Sequence, residues 1–369
     1  AGLPSYASPE SAVEGYLQLV RIERARAELN RPPVPQALDG PYDLERARSI
    51  VHAALASGHE LLDEPASKDV LAAFGIPVVP TRIAENVDAA VLAAEHFGVP
   101  VALKLRSRDV SHKSDVGGVV LDLADGAAVR AAAEAMVRRV TSLRPDARLD
   151  GFTVAPMERR DGAYELIVGA TTDPDFGPVV LFGPGGGAVE QLADRALALP
   201  PLDLGLAGDL IDRTRIARLL RGFRDRPPVD LAAVARVLVR VSELICEIPQ
   251  IRSLDVNPLL ADRRGVIALD ARIRIAATTA ASHERLAILP YPRQLEERVE
   301  LVDGSVLLRP VRPEDDVALR ALFARLDPQS VRFRFQHAVR DPSLELSVRD
   351  TQIDYDREMA FVLAEEGDG

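Results

Sequence analysis

The chain has 369 residues, 47% of them hydrophobic, and a formal net charge of −11. That length points to two or three domains, and the acidic balance argues against a nucleic-acid or membrane-surface protein. The single cysteine excludes an intrachain disulfide and suits a reducing cytosol. No apolar run is long enough to span a bilayer, so a cytoplasmic location is expected.

Val13, Tyr16, Leu17, Val20 and Ile22 recur at helical spacing, and Pro9 and Glu10 suit a helix start, so a helix is expected over 13–29. Asn30-Arg31-Pro32-Pro33-Val34-Pro35 breaks it and reads as a linker. One helix is not a domain, so residues 1–36 are expected to be the tail of an upstream domain and its linker. The sequence opens on Ala1 without methionine and reads as a segment of a longer polypeptide.

Over residues 43–275 helix and strand signals alternate, which indicates an α/β or α+β domain. Asp63-Glu64-Pro65 opens a helix that Gly75 closes, and Ile76-Pro77-Val78-Val79 reads as a short strand. Asn86 caps the next helix, which ends at Gly98. A strand follows at 99–105, then a helix from Ala127 to Val140. Later strands are expected near 152–156, 164–171, 178–182, 252–256 and 266–270, with helices near 212–221 and 229–247. Cys246 falls in an apolar helical pattern and reads as a buried structural thiol. Residues 276–303 read as a connector. A strand at Val306–Pro310 and a helix from Pro313 to about Leu326 then open a third part, 304–369, too short to complete a domain.

Four clusters suggest phosphate chemistry. Lys104 leaves an apolar strand and offers a compact charge to phosphate oxygens. His112-Lys113-Ser114-Asp115-Val116-Gly117-Gly118 follows. Its histidine is a candidate nucleophile, Asp115 or another carboxylate a candidate orienting group, and its glycines allow close backbone approach to an oxyanion. Third is Phe182-Gly183-Pro184-Gly185-Gly186-Gly187, a glycine nest after a strand that fits neither the Walker nor the dinucleotide spacing. Glu165, in the preceding strand, is a candidate ribose or metal contact. Fourth, Asn257 in Asp255-Val256-Asn257-Pro258-Leu259 and Asp270 in Leu269-Asp270-Ala271-Arg272 are two oxygen donors suited to magnesium, which needs few protein ligands when phosphates supply others. Each cluster alone is also explained by an ordinary loop, turn or solvated strand end.

In this order the clusters resemble the ATP-grasp domain of the NDP-forming acyl-CoA synthetases, relatives of the succinyl-CoA synthetase β subunit. The matching stretches are Glu64-Pro-Ala-Ser-Lys68, Gly75-Ile-Pro-Val78, Ala102-Leu-Lys104, the His112 to Gly118 run, Asp173-Pro-Asp-Phe-Gly-Pro178, Asp255-Val-Asn-Pro-Leu259 and Leu269-Asp-Ala-Arg272. The resemblance implies an ATP-grasp fold over about 45–275. It also implies that Lys104, Gly117, Gly118, Glu165, Gly185, Gly186 and Gly187 contact ATP or ADP, that Asn257 and Asp270 hold Mg²⁺, and that His112 accepts phosphate. Residues 155–157, including Pro156 and Met157, would form the hinge facing adenine, where the family commonly carries a Glu-Met pair.

Gly2-Leu-Pro-Ser-Tyr-Ala-Ser-Pro-Glu10 resembles the end of the CoA-ligase domain that precedes ATP-grasp in fused enzymes. Leu289-Pro-Tyr-Pro292, Leu307-Leu-Arg-Pro-Val-Arg-Pro-Glu-Asp315, Arg332-Phe-Arg-Phe335 and Ile353-Asp-Tyr-Asp-Arg-Glu-Met-Ala-Phe361 resemble the opening of a GNAT acetyltransferase domain. The combination is similar to the bacterial protein lysine acetyltransferases with a synthetase-like half. It implies CoA or acyl-CoA as ligands of the whole protein. The partners it implies are upstream CoA-binding domains, a protein lysine substrate and a second copy of the chain. Two functions follow as expectations: phosphoryl transfer through His112 during acyl-CoA and ATP interconversion, or a catalytically silent nucleotide or acyl-CoA sensor that regulates the protein lysine acetyltransferase.

Overall fold

Short polar side chains start most helices of the protein. The computed structural model describes residues 5–29, 42–98, 100–107, 109–110, 116–186, 194–224, 226–280, 285–287, 289, 291–301, 304–327, 329–330, 333 and 350–365. In chain order the helices are α1 (Pro9–Leu29), α2 (Leu44–Ala56), α3 (Glu64–Ala73), α4 (Val87–Phe97), α5 (Gly126–Leu143), α6 (Leu204–Asp212), α7 (Ala217–Leu220), α8 (Leu231–Glu247) and α9 (Asp316–Arg325). Asp43, Asp63, Asn86, Asp125, Asp203 and Asp230 cap α2 to α6 and α8, each side chain accepting a backbone N–H of the first turn. Such a cap contributes about 1 kcal/mol.

The strands are β1 (Arg82–Ala84), β2 (Val101–Leu105), β3 (Val119–Leu123), β4 (Phe152–Pro156), β5 (Tyr164–Asp173), β6 (Gly177–Pro184), β7 (Ala196–Ala198), β8 (Ile251–Asp262), β9 (Gly265–Ala268), β10 (Ala271–Ile275), β11 (Glu297–Leu301), β12 (Gly304–Pro310) and β13 (Phe361–Glu365). The chain divides into two units, Leu38–Ala287 and a second drawn from Ala1–Ala37 and Ile288–Gly369.

Within Leu38–Ala287 the described residues form two sheets, each with its own core. The first is four-stranded in the order β1-β4-β2-β3, and its pairings are antiparallel. Val101, Leu103, Leu105, Val129, Met136, Val140, Phe152 and Val154 pack between this sheet and helices α4 and α5. The second sheet runs β10-β8-β5-β6-β7, with β9 also paired to β8. One face of it is covered by α8, whose Val234, Leu238, Val241 and Ile245 are fully buried at positions i, i+4, i+7 and i+11. Its core also takes in Val51 of α2 and Val70, Leu71 and Phe74 of the α3 segment. Helix α3 therefore belongs to the core of the six-stranded sheet. The longest strands, β5 and β8, pair at its centre, with Val168 opposite Val256 and Ala170 opposite Leu254.

Several expectations need correction. Residues 76–79 make a single parallel bridge, Val78 to Ala268: Val79 N–H donates to Ala268 O and Pro77 O accepts from Ala268 N–H, while Pro80 has no N–H with which to extend the pairing. The helix expected near 212–221 is broken: α6 ends at Asp212, Thr214 turns back on Ile211 O, and Asp194 accepts the N–H groups of Arg215 and Ile216 to start α7. Helix α2, all but the last residue of α6, and strands β1, β3, β7, β10 and β11 lie where no element was expected, β11 inside the stretch read as a connector. Cys246 is buried in α8, and burial pushes its thiol up to about 12.

The second unit contains α1 and a three-stranded antiparallel sheet, β11-β12-β13, with α9 between its last two strands in sequence. Arg309 binds Asp315 through two 2.7 Å hydrogen bonds, fixing the turn into α9. Among the described residues no helix is long and apolar enough to cross a membrane.

Candidate nucleotide and metal site

A row of alternating charges joins the two sheets of Leu38–Ala287. Lys104 is the one residue of β2 that is not buried, and its Nζ lies 2.8 Å from Glu64 Oε1 and 3.1 Å from Asp270 Oδ2. Glu64 stands in the first turn of α3, where a carboxylate also favours the helix dipole. The same Oε1 accepts from Lys68 Nζ at 2.9 Å, one helical turn on, and Lys68 also donates to Thr81 Oγ1 at 2.9 Å. Lys68 and Glu64 are buried, with side-chain exposures of 4% and 3%, and exposure then rises to 14% for Lys104 and 45% for Asp270.

The electrostatics follow from that order. Burial disfavours the Glu64 carboxylate, but Lys104 and Lys68 outweigh it and hold its pKa down at about 2. Burial likewise opposes the Lys104 ammonium, and Asp270 and Glu64 overcome it, so its pKa is raised. Lys68 moves the other way, because burial, with repulsion from Lys104, outweighs the help of Glu64. A second ion pair lies beside the row. Arg106, one residue past β2, donates through Nε and Nη2 to Asp63 Oδ2 at 3.0 and 2.8 Å, while Asp63 Oδ1 caps α3. The first turn of α3 is thus tied twice to the end of β2.

Asn257 and Asp270 are brought to neighbouring positions of the second sheet, on β8 and just before β10. Val256 is opposite Ala271, and the Leu269 N–H donates to Pro258 O at 3.0 Å. Asn257 Oδ1 accepts the Gly186 N–H at 2.9 Å, so the glycine loop rests on the asparagine. Asp270 Oδ1 accepts its neighbour's N–H, that of Ala271, at 2.9 Å, and Oδ2 faces Lys104. Two hard oxygen donors, one of them a half-exposed carboxylate, fit Mg²⁺, which keeps waters and takes further oxygens from phosphates. Among the described residues no group of three or more His, Cys, Asp or Glu side chains forms a ready metal cage.

The glycines after β6 are required by close approach. A Cβ on Gly185 would lie 2.4 Å from Leu166 O, and one on Gly186, where φ is +67°, would lie 1.7 Å from Glu165 Oε2. Gly185 N–H donates to Glu165 O at 2.8 Å, which places Glu165 at the base of this loop. Gly185→Ala is expected to cost about 1–3 kcal/mol by overpacking and to pull Gly186 from Asn257. Thermal unfolding of the variant checks the cost.

The other described site candidates belong to the first sheet and its loops. Gly117 has φ +70°, and the carbonyl of the buried Gly118 accepts the Leu105 N–H at 2.8 Å, holding this end of the loop beside β2. Pro156 ends β4, and Met157 spends its N–H on Pro100 O at 2.7 Å rather than offering it to a base. His112 and Gly187 lie outside the described residues. Glu64, Lys68 and Thr81 were given no site role by sequence reasoning. The i,i+4 spacing of Glu64 and Lys68 was a visible signal, but their meeting with Lys104, 40 residues on, was not.

Two sheets meeting through a strand lysine, with a glycine loop, an asparagine and an aspartate on the second sheet, define an ATP-grasp arrangement. Residues 53–275 match the family model described as an ATP-grasp domain. The chain belongs to this family, in the group of the ADP-forming acyl-CoA synthetases, to whose β subunits it is similar. It is 36% identical over 231 residues to the β subunit of acetate–CoA ligase (ADP-forming) I of Pyrococcus furiosus, covering 62% of this chain and 97% of that subunit. It is 37% identical over 273 residues to acetate–CoA ligase (ADP-forming) I of Archaeoglobus fulgidus, covering 74% of this chain but only 39% of that protein. Among solved structures, the acetyl-coenzyme A synthetase 1 of Ca. Korarchaeum cryptofilum, in complex with coenzyme A and Ca-AMPCP, matches with a TM-score of 0.60 and 35% identity, over 62% of this chain and all of that one. Other forms of that protein carry a phosphorylated phosphohistidine segment, or one pointing towards the nucleotide binding site with Mg-AMPPCP present.

Proposed function

We propose that the chain binds MgATP between the two sheets of Leu38–Ala287 and passes the γ-phosphoryl group to His112, as the nucleotide half of a cytoplasmic ADP-forming acyl-CoA ligase. The observation that carries this reading is the meeting of Lys104 with Asp270, above an asparagine that holds the glycine loop. Lys104 contributes the charge that meets phosphate oxygens, and Glu165 and the Gly185–Gly186 backbone adjoin one another where β5 begins and β6 ends. Asn257 and Asp270 would hold magnesium, which supplies neutralisation of the phosphate charge when bound. The relatives' nucleotide and coenzyme A complexes and their phosphohistidine segment support the same assignment. Acyl-CoA chemistry then requires a CoA-binding partner domain.

On its GNAT-like motifs, the segment 304–369 is proposed as the opening of an acetyltransferase domain. A nucleotide sensor regulating such a domain would use the same binding residues, and phosphate on His112 separates the ligase from the sensor.

Calorimetric titration with MgATP tests the binding reading. Wild type is expected to bind, and Lys104→Met to bind about 10–100-fold more weakly, the worth of one charge-assisted contact. A folded wild-type chain that does not bind MgATP overturns it.

A further inference from the structure

The motif Glu64-Pro-Ala-Ser-Lys68 is left without a task by the reading above, yet its two charged side chains are the most buried in the row that ends at Lys104. We propose that Glu64 and Lys68 are a positioning pair: Glu64 aims the Lys104 ammonium at the nucleotide phosphates, and Lys68 cancels the charge of Glu64 so that Lys104 arrives with its full positive charge. The inference deepens the proposed MgATP site and rests on Lys104 meeting phosphate there.

Lys104 extends from a strand of the first sheet, and its ammonium would have several staggered positions open to it. The 2.8 Å bond to Glu64 selects one. Glu64 itself cannot drift, because it lies in the capped first turn of α3, a helix packed into the core of the other sheet. Asp63 and Arg106 hold the same turn against the end of β2.

A lysine paired with one carboxylate alone forms a neutral pair and attracts phosphate weakly. Here a single oxygen, Glu64 Oε1, accepts from both lysines at 2.9 and 2.8 Å. Two ammoniums and one carboxylate leave one net positive charge, held where low local polarity strengthens it. Asp270 balances that charge in this structure. When Asp270 is engaged by a cation, the triad presents its net charge to the phosphates. Thr81 takes a further proton of Lys68, so the buried lysine keeps hydrogen-bond partners on both sides.

Charge and aim are separable by substitution. Lys68→Met removes the cancelling charge at similar volume and is expected to weaken MgATP binding about tenfold. Adding Glu64→Gln restores one net charge while the amide oxygen still accepts from Lys104. That double variant is expected to return to within about threefold of wild type. Lys68→Met with Glu64→Ala has the same charge but no acceptor, and its binding is expected to stay about tenfold weak.

Calorimetry with MgATP on the whole chain, with circular dichroism melts to confirm folding, measures all three. The proposal is overturned if folded Lys68→Met binds like wild type, or if the two double variants bind alike. The comparison of double variants stands even where Lys68→Met fails to fold, because both remove the buried ion pair. Wild-type affinity in Lys104→Met would overturn the nucleotide reading of Lys104 instead.

Discussion

His112→Ala is expected to abolish acid-labile labelling of the chain by γ-labelled ATP, lowering the rate at least about a thousandfold. The reason is the loss of the nucleophile. In the proposed step an imidazole nitrogen attacks the γ-phosphorus in line. A P–N bond forms as the bond from that phosphorus to the β–γ bridging oxygen breaks, and ADP leaves with the bond's electrons. Alanine offers no lone pair, and the neighbouring Lys113 and Ser114 are not placed in this role by any motif. The flanking residues have supports of their own: Val110 is buried, and the Gly118 carbonyl accepts the Leu105 N–H. MgATP affinity should therefore stay within about threefold of wild type. Labelling that is stable in base and lost in acid, with calorimetry on the same samples, checks both halves. Equal labelling of the variant would remove His112 from the reaction.

The paired substitution Asn257→Ala and Asp270→Ala is expected to weaken MgATP binding more than about a hundredfold, at two lost oxygen donors each worth about 1.5–3 kcal/mol. Its signature is the disappearance of magnesium dependence: the variant should bind ATP equally with and without the metal, whereas wild type should not. Stability should fall modestly. Asn257 loses one neutral hydrogen bond, worth about 1 kcal/mol, and the Asp270 contact with Lys104 is exposed on the carboxylate side, where such pairs contribute about 0–1 kcal/mol. Titration of ATP with magnesium and with a chelator, alongside a thermal melt, measures these together. A variant that retained metal-dependent binding would place the cation elsewhere.

Glu64 also sets a pH limit. Its pKa in the folded chain is about 2, below the ordinary carboxylate value. The stability it contributes is thus complete above about pH 4.5 and is lost as pH falls from there toward 2. Acid should therefore loosen the first turn of α3 and, with it, the hold on Lys104.

The candidate residues were readable before the fold: the strand lysine, the glycine nest and the Asn257 and Asp270 pair are local patterns, as is the His112 run, which lies largely outside the described residues, and local patterns survive in a linear text. Helix starts were readable for the same reason, because Asp63 and Asn86 act on backbone three residues away. Strands such as β1, β3 and β7 were not, since their pairing partners β4, β2 and β6 are distant or separated by loops and their own residues alternate weakly. The break between α6 and α7 was hidden too, because Asp194, some 20 residues earlier, supplies it.

By itself the sequence displayed a lysine, a histidine, glycines and two oxygen donors in an order like that of the ADP-forming acyl-CoA synthetases, in an acidic chain with one cysteine. Tertiary structure alone decided how that chemistry is held. Register across β8, β9 and β10 sets Asn257 against Asp270, and the packing of α3 on the second sheet brings Glu64 and Lys68 to Lys104 of the first. The physical reason is that burial must pair its charges. A lysine in so dry a place has to find its carboxylate, and that carboxylate can come from any distance in the chain that folding closes.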